Sequence, residues 1–96
     1  LTWKLTPAAE MVWEQLRSPV RSEMRKALAE LAERPELDSG PKVRAIRVGK
    51  QLVKVLRAPR GYRVFFERDH EGVVVVDIAS PAQIEFLRPA RESTAA

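Results

Sequence analysis

The 96 residues, 45% hydrophobic and 31% charged, suit one folded domain near the lower end of the usual size range, with a modest core. There is no cysteine, which excludes disulfides and thiolate metal sites, and no apolar run approaches the ~20 residues that a membrane span needs. A reducing cytoplasm, which fits the lack of cysteine, is the expected location; no signal peptide is visible, and Leu1 in place of Met is expected of a trimmed chain or an excised domain.

Residues 1–5 (LTWKL) alternate apolar and polar, the period of a half-buried strand with Leu1, Trp3 and Leu5 inward. Thr6-Pro7 then reads as a helix start, a capping hydroxyl followed by proline at the first helical position. Ala9, Val12, Trp13 and Leu16 form one stripe of an amphipathic helix. Ser18-Pro19 repeats the start signal, and Val20, Met24, Ala27, Leu28 and Leu31 form the stripe of a second helix that Arg34-Pro35 ends. Two helices joined so tightly predict a hairpin lying on one face of a sheet, with Trp13 and Met24 in the core.

Pro35 to Pro41 (PELDSGP) is a loop by composition. From there Val43–Val48, Leu52–Leu56, Tyr62–Arg68 and Val73–Ile78 read as four strands in a meander. Gly49-Lys50, Ala58-Pro59-Arg60-Gly61 and Asp69-His70-Glu71-Gly72 supply the turns. The valine run 73–76 is apolar on both faces, as in a central strand, and Asp77 interrupts it. Ser80-Pro81 caps a short last helix, 82–87, with Ile84 and Leu87 inward, and the tail 89–96 is expected to fray. The fold class is therefore α+β: an N-terminal strand and a two-helix hairpin packed on a mainly antiparallel four- to five-stranded sheet.

Positive charge is concentrated. Residues 42–68 carry nine bases (Lys42, Arg44, Arg47, Lys50, Lys54, Arg57, Arg60, Arg63 and Arg68) against one acid, Glu67, a balance of +8. Residues 1–41 balance to −1 (six bases, seven acids) and 69–96 to −3 (two bases, five acids), which sums to the formal +4. Such a patch on a sheet attracts phosphate backbones or an acidic protein segment, or else decorates an ordinary solvated face.

Other chemistry is scarce. The single histidine, His70, sits in a turn with no second histidine or cysteine to join it as a metal ligand or to serve a serine nucleophile. No glycine-rich phosphate loop exists. No cofactor is expected, and any catalysis has to come from Lys and Arg near phosphate, with a tyrosine or a carboxylate.

Lys42-Val43-Arg44, Val53-Lys54-Val55-Leu56-Arg57, Gly61-Tyr62-Arg63-Val64-Phe65-Phe66 and the valine strand, after a helix hairpin, resemble the RelE/ParE toxin superfamily over roughly residues 3–88. The sharpest part is Gly61-Tyr62-Arg63. The resemblance implies a RelE-like fold for a single domain over residues 1–88 and the toxin role of a toxin–antitoxin pair. RelE-like members cleave mRNA in the ribosomal A site, and ParE-like members inhibit DNA gyrase. Carried over by motif, Arg63, Lys54 and Arg57 are the expected catalytic groups, stabilising charge as a ribose 2′-OH attacks phosphate. Lys42, Arg44, Arg47, Lys50, Arg60, Tyr62 and Phe86 are the expected RNA-binding groups.

The chain departs from the nuclease pattern after the valine strand, where no base occurs until Arg88 and Phe86 stands near the usual tyrosine. Phenylalanine stacks on bases but moves no proton. Glu67 and Tyr62 are the substitutes on offer. Three readings stay open: an RNA-binding toxin or weak ribonuclease, a ParE-like gyrase inhibitor, and a non-toxic RelE-fold module of a larger protein. The expected partners are a cognate antitoxin with an acidic or amphipathic segment, and mRNA on the ribosome or alternatively gyrase, with no membrane.

Overall fold

Thr6 starts the first helix as its sequence position suggests. In the computed structural model, which describes residues 2–84, its hydroxyl accepts from the Ala9 N–H (3.3 Å) and Pro7 opens α1, Pro7–Gln15. The chain turns extended at Leu16, and α2 spans Ser18–Glu33. Ser18 is not the cap expected of it. Arg17 holds the cap position without a side-chain bond, so Ser18 and Pro19 both lie inside the first turn. The end of α1 is served instead from α2, where the Arg21 guanidinium donates to the Leu16 carbonyl (2.8 Å).

The strands are β1 (Thr2–Leu5), β2 (Val43–Val48), β3 (Gln51–Arg57), β4 (Arg63–Asp69) and β5 (Gly72–Ala79). They form one five-stranded sheet in the order β1-β5-β4-β3-β2. The meander β2 to β5 is antiparallel throughout, and β1 joins it in parallel beside β5. Gly72 permits that docking. Its φ of +142° suits glycine alone, and a Cβ there would run into the Thr2 carbonyl.

Alternation sorts the sheet into two faces. Leu56, Val64, Phe66, Val73, Val75 and Ile78 point toward the helices and meet Trp13, Val20, Met24, Leu28 and Leu31 in the core. Phe66, Met24, Leu28 and Leu31 are completely buried, each contributing about 1.5–3 kcal/mol relative to exposure. A bulge between Phe65 and Phe66 shifts the β4–β5 register. Thr6 closes on β5 there, its N–H donating to the Val75 carbonyl and its hydroxyl to that of Val76.

The stretch 35–41 is more ordered than its loop composition suggests: Pro35–Ser39 forms a 3-10 helix that delivers Asp38 to the sheet. Ser80 opens a helical turn at 81–84 with a capping box: its hydroxyl accepts from the Gln83 N–H, and the Gln83 side-chain amide oxygen (Oε1) accepts from the Ser80 N–H. Phe86, Leu87, Arg88 and the tail lie outside the described residues.

Candidate functional site

On a strand, residues three apart point to opposite faces. Leu56 faces the helices, so Lys54 does too, while Arg57 faces away from them. Arg57 pairs directly with Arg63 of β4, and on its other side the Arg57 N–H bonds the Lys42 carbonyl (2.8 Å). Lys42, in the turn just before β2, thus forms a row with Arg57 of β3 and Arg63 of β4 on the face turned away from α1 and α2 (the helix-free face), with Arg44 one step along β2.

Like charges directly opposite each other on a sheet are unfavourable. Among the described residues no carboxylate forms an ion pair with any member of this row. Arg63 is half-buried, and its guanidinium leans on the carbonyls of Gly61 (3.5 Å) and Tyr62 (3.4 Å). Those contacts aim it without neutralising it. Beside the row the same face presents Val55 and Phe65, paired across β3 and β4, and Asp77 opposite Phe65 on β5.

The other candidate bases are placed elsewhere. Lys54 lies under the sheet and bonds Asp38 (2.7 Å), which also receives two bonds from Arg68 (2.6 and 2.9 Å). Arg68 donates besides to the Leu31 carbonyl at the end of α2 (2.8 Å). Burial acts to raise the Asp38 carboxyl, but the hydrogen bonds and charges of Arg68 and Lys54 outweigh it and hold the group below its ordinary value. This clasp joins the 3-10 turn, α2, β3 and β4, and the sheet separates Lys54 from Arg57 and Arg63.

Arg60 forks onto Glu23 of α2 through Nε (2.9 Å) and a terminal nitrogen (3.1 Å), from a backbone φ of +61°. Tyr62 packs against the core, Arg47 shares a face with Leu52 at the sheet's end, and Lys50 sits in the β2–β3 turn. Of the ten expected site residues the structure therefore gathers Lys42, Arg44, Arg57 and Arg63, and Phe86 is outside the described residues. Asp77 stands on the helix-free face as well, which the sequence did not indicate. It read as an interruption of the valine strand, and the bulge that fixes its pairing with Phe65 leaves no mark in the apolar pattern.

Chemically, the row can hold an anion of extended form, and Phe65 offers a ring beside it for stacking. Among the described residues no cluster of acids and histidines is arranged to hold a metal, and no helix is long and apolar enough to cross a membrane.

A family model described as the ParE toxin of the type II toxin–antitoxin system, parDE, matches residues 4–85. The intact E. coli RelBE toxin–antitoxin complex contains a chain 22% identical, with a TM-score of 0.56 over 82% of this chain and 94% of that one. A mutant of the E. coli toxin RelE in the free state is also 22% identical, with a TM-score of 0.54 over 96% of this chain and 95% of that one. At this identity the two structures show the shared fold. No curated protein matches the chain.

Proposed function

The chain belongs to the ParE toxin family of type II toxin–antitoxin systems, within the RelE/ParE superfamily, and from that premise we propose that it acts on mRNA at the ribosome in the cytoplasm, through the helix-free sheet face. The observation that carries this reading is the row Lys42–Arg57–Arg63, three cations side by side on the turn before β2, on β3 and on β4, and free of ion-paired carboxylates among the described residues. Its site is a phosphate clamp. Arg57 and Arg63 neutralise the backbone, Lys42 and Arg44 extend the contact, and Phe65 stacks on a base.

In this reading cleavage proceeds by attack of a ribose 2′-OH on the adjacent phosphate, giving a 2′,3′-cyclic phosphate while the bond to the 5′ oxygen of the next nucleotide breaks and that oxygen leaves as a hydroxyl with a proton from water. The two arginines stabilise the charge that builds on the phosphoryl oxygens. In this reading Asp77, which pairs with Phe65 on the same face, takes the 2′-OH proton. The cognate antitoxin silences the toxin by laying an acidic or amphipathic segment over the same row.

A second reading, gyrase inhibition, is favoured by one feature: Val55, Phe65 and Val74 bring apolar surface to the same face as the cations, which suits a protein target. Mapping RNA 3′ ends after brief induction in a bacterial host separates the two. Codon-phased cuts in translated messages, lost in Arg63→Ala, establish the ribonuclease. Growth arrest without cuts selects the gyrase reading, and neither arrest nor cuts rejects both.

A further inference from the structure

β2 is an edge of the sheet, and one contact fixes which of its backbone groups face outward. The Arg57 N–H donates to the carbonyl of Lys42 directly opposite (2.8 Å), so Arg44, Ile46 and Val48 are in turn the residues that bond to β3. The residues between them point their backbone groups away from β3. The Val43 N–H is taken by the Gly40 carbonyl (3.4 Å). That leaves the N–H and C=O of Ala45 and Arg47 without a backbone partner among the described residues, and both residues are exposed.

Four cations flank this open edge: Lys42 before the strand, Arg44 on its helix-free face, Arg47 on the other face and Lys50 in the turn after it. None of them forms an ion pair among the described residues. The opposite edge of the sheet differs. The cation of β1, Lys4, is already paired with Asp69 (3.4 Å) and Glu71 (3.6 Å).

We propose that the β2 edge takes an acidic, extended segment of a partner protein as a sixth strand. Unpaired edge groups are a template for another strand, and three features select this occupant. Ala45 and Arg47 offer donor and acceptor in a repeat of ~6.7 Å, the repeat of a second strand. Phosphate brings acceptors only and would leave their carbonyls facing oxygen. A second copy of β2 would bring four cations against four, which is unfavourable across a sheet. A strand with carboxylates meets Arg44 and Arg47 instead. These two are three residues apart and so lie on opposite faces, which requires acids on both faces of the partner strand. On the helix-free face Ile46 and the exposed Val48 (57%) offer apolar contact to the same strand.

The test titrates the whole protein with a fluorescein-labelled peptide that has glutamate at every third position among valine and threonine. Anisotropy should show binding that weakens with salt and that falls roughly tenfold in Arg44→Gln with Arg47→Gln. Arg57→Gln with Arg63→Gln should change it by no more than about threefold at physiological salt. Ala45→Pro removes one outward donor and leaves the β2–β3 ladder intact, since proline is tolerated on an edge, and should cost about tenfold. Thermal melts verify that each variant is folded. Amide exchange on wild type reads the same contact without a substitution: the N–H groups of Ala45 and Arg47 should slow by about tenfold when the peptide saturates. The assignment is overturned if the peptide does not bind at low salt, if it binds and leaves those two amides as fast as before, or if binding follows Arg57 and Arg63. It is also overturned if the two amides are already protected in the protein alone, in proportion to its concentration, which gives the edge to a second copy. No RNA enters the titration, so the mRNA reading stands or falls separately.

Discussion

Arg57 and Arg63 stand directly opposite each other on adjacent strands, and among the described residues no carboxylate forms an ion pair with either. An arrangement that opposes like charges costs the free protein stability, and an anion that binds there recovers it. Arg57→Gln should therefore raise stability by roughly 0.2–1 kcal/mol at low salt while weakening both toxicity and RNA binding. Paired melting and growth-arrest measurements check this. A variant that loses stability together with toxicity would show that the pair is structural.

The Asp38 clasp gives a pH-dependent prediction. Its folded carboxyl titrates below the ordinary ~3.9 of an aspartate. The stability it contributes is therefore fully present above that value and is lost as pH falls through the lower folded value. Asp38→Asn should cost about 2–3 kcal/mol at neutral pH, since it weakens charge-assisted bonds from both Arg68 and Lys54. Denaturant melts between pH 7 and pH 2 should show the gap between wild type and variant closing with acid. Asp69, lowered chiefly by the Glu71 N–H, titrates in the same direction in both proteins and cancels from that difference.

Gly72→Ala should detach β1. The new Cβ meets the Thr2 carbonyl and forces a side chain into a φ of +142°, a combined penalty of at least about 2 kcal/mol. Hydrogen exchange should show protection lost first at Thr2–Leu5, with the β3–β4 pairing retained. Equal loss in β3 and β4 would mean that β1 holds the whole sheet.

Arg60 combines a left-handed backbone with a fork onto Glu23. Arg60→Gly removes both the fork and the strain, whereas Arg60→Ala removes only the fork. The glycine variant should melt above the alanine variant. Neither should affect RNA affinity more than about twofold, because Arg60 lies outside the row.

Local features were legible before the structure: the Thr6-Pro7 start, both helix stripes, the two-residue Gly49-Lys50 turn and the four meander strands. Each depends on neighbours within a few residues. Long-range partnerships were not. Nothing in PELDSGP announces that Asp38 will meet Arg68, 30 positions on, so the segment read as plain loop. One signal was present and unused. Lys54 and Arg57 differ by an odd number of residues on one strand, and that alone divides the nine-base patch between two faces. Tyr62 went the same way, since the family motif names it beside Arg63 while the core claims it.

The parallel seat of β1 beside β5 also sets an order of assembly. The meander closes through short hairpins, but Thr2 to Leu5 must wait for Gly72 to Val75, a loop of about seventy residues. On a translating ribosome the cationic row on β2, β3 and β4 can form before the N-terminal strand finds its place. The newly made toxin then presents its charged face while its own fold is still open, and an antitoxin that reached that face early would meet a chain not yet committed to its final stability.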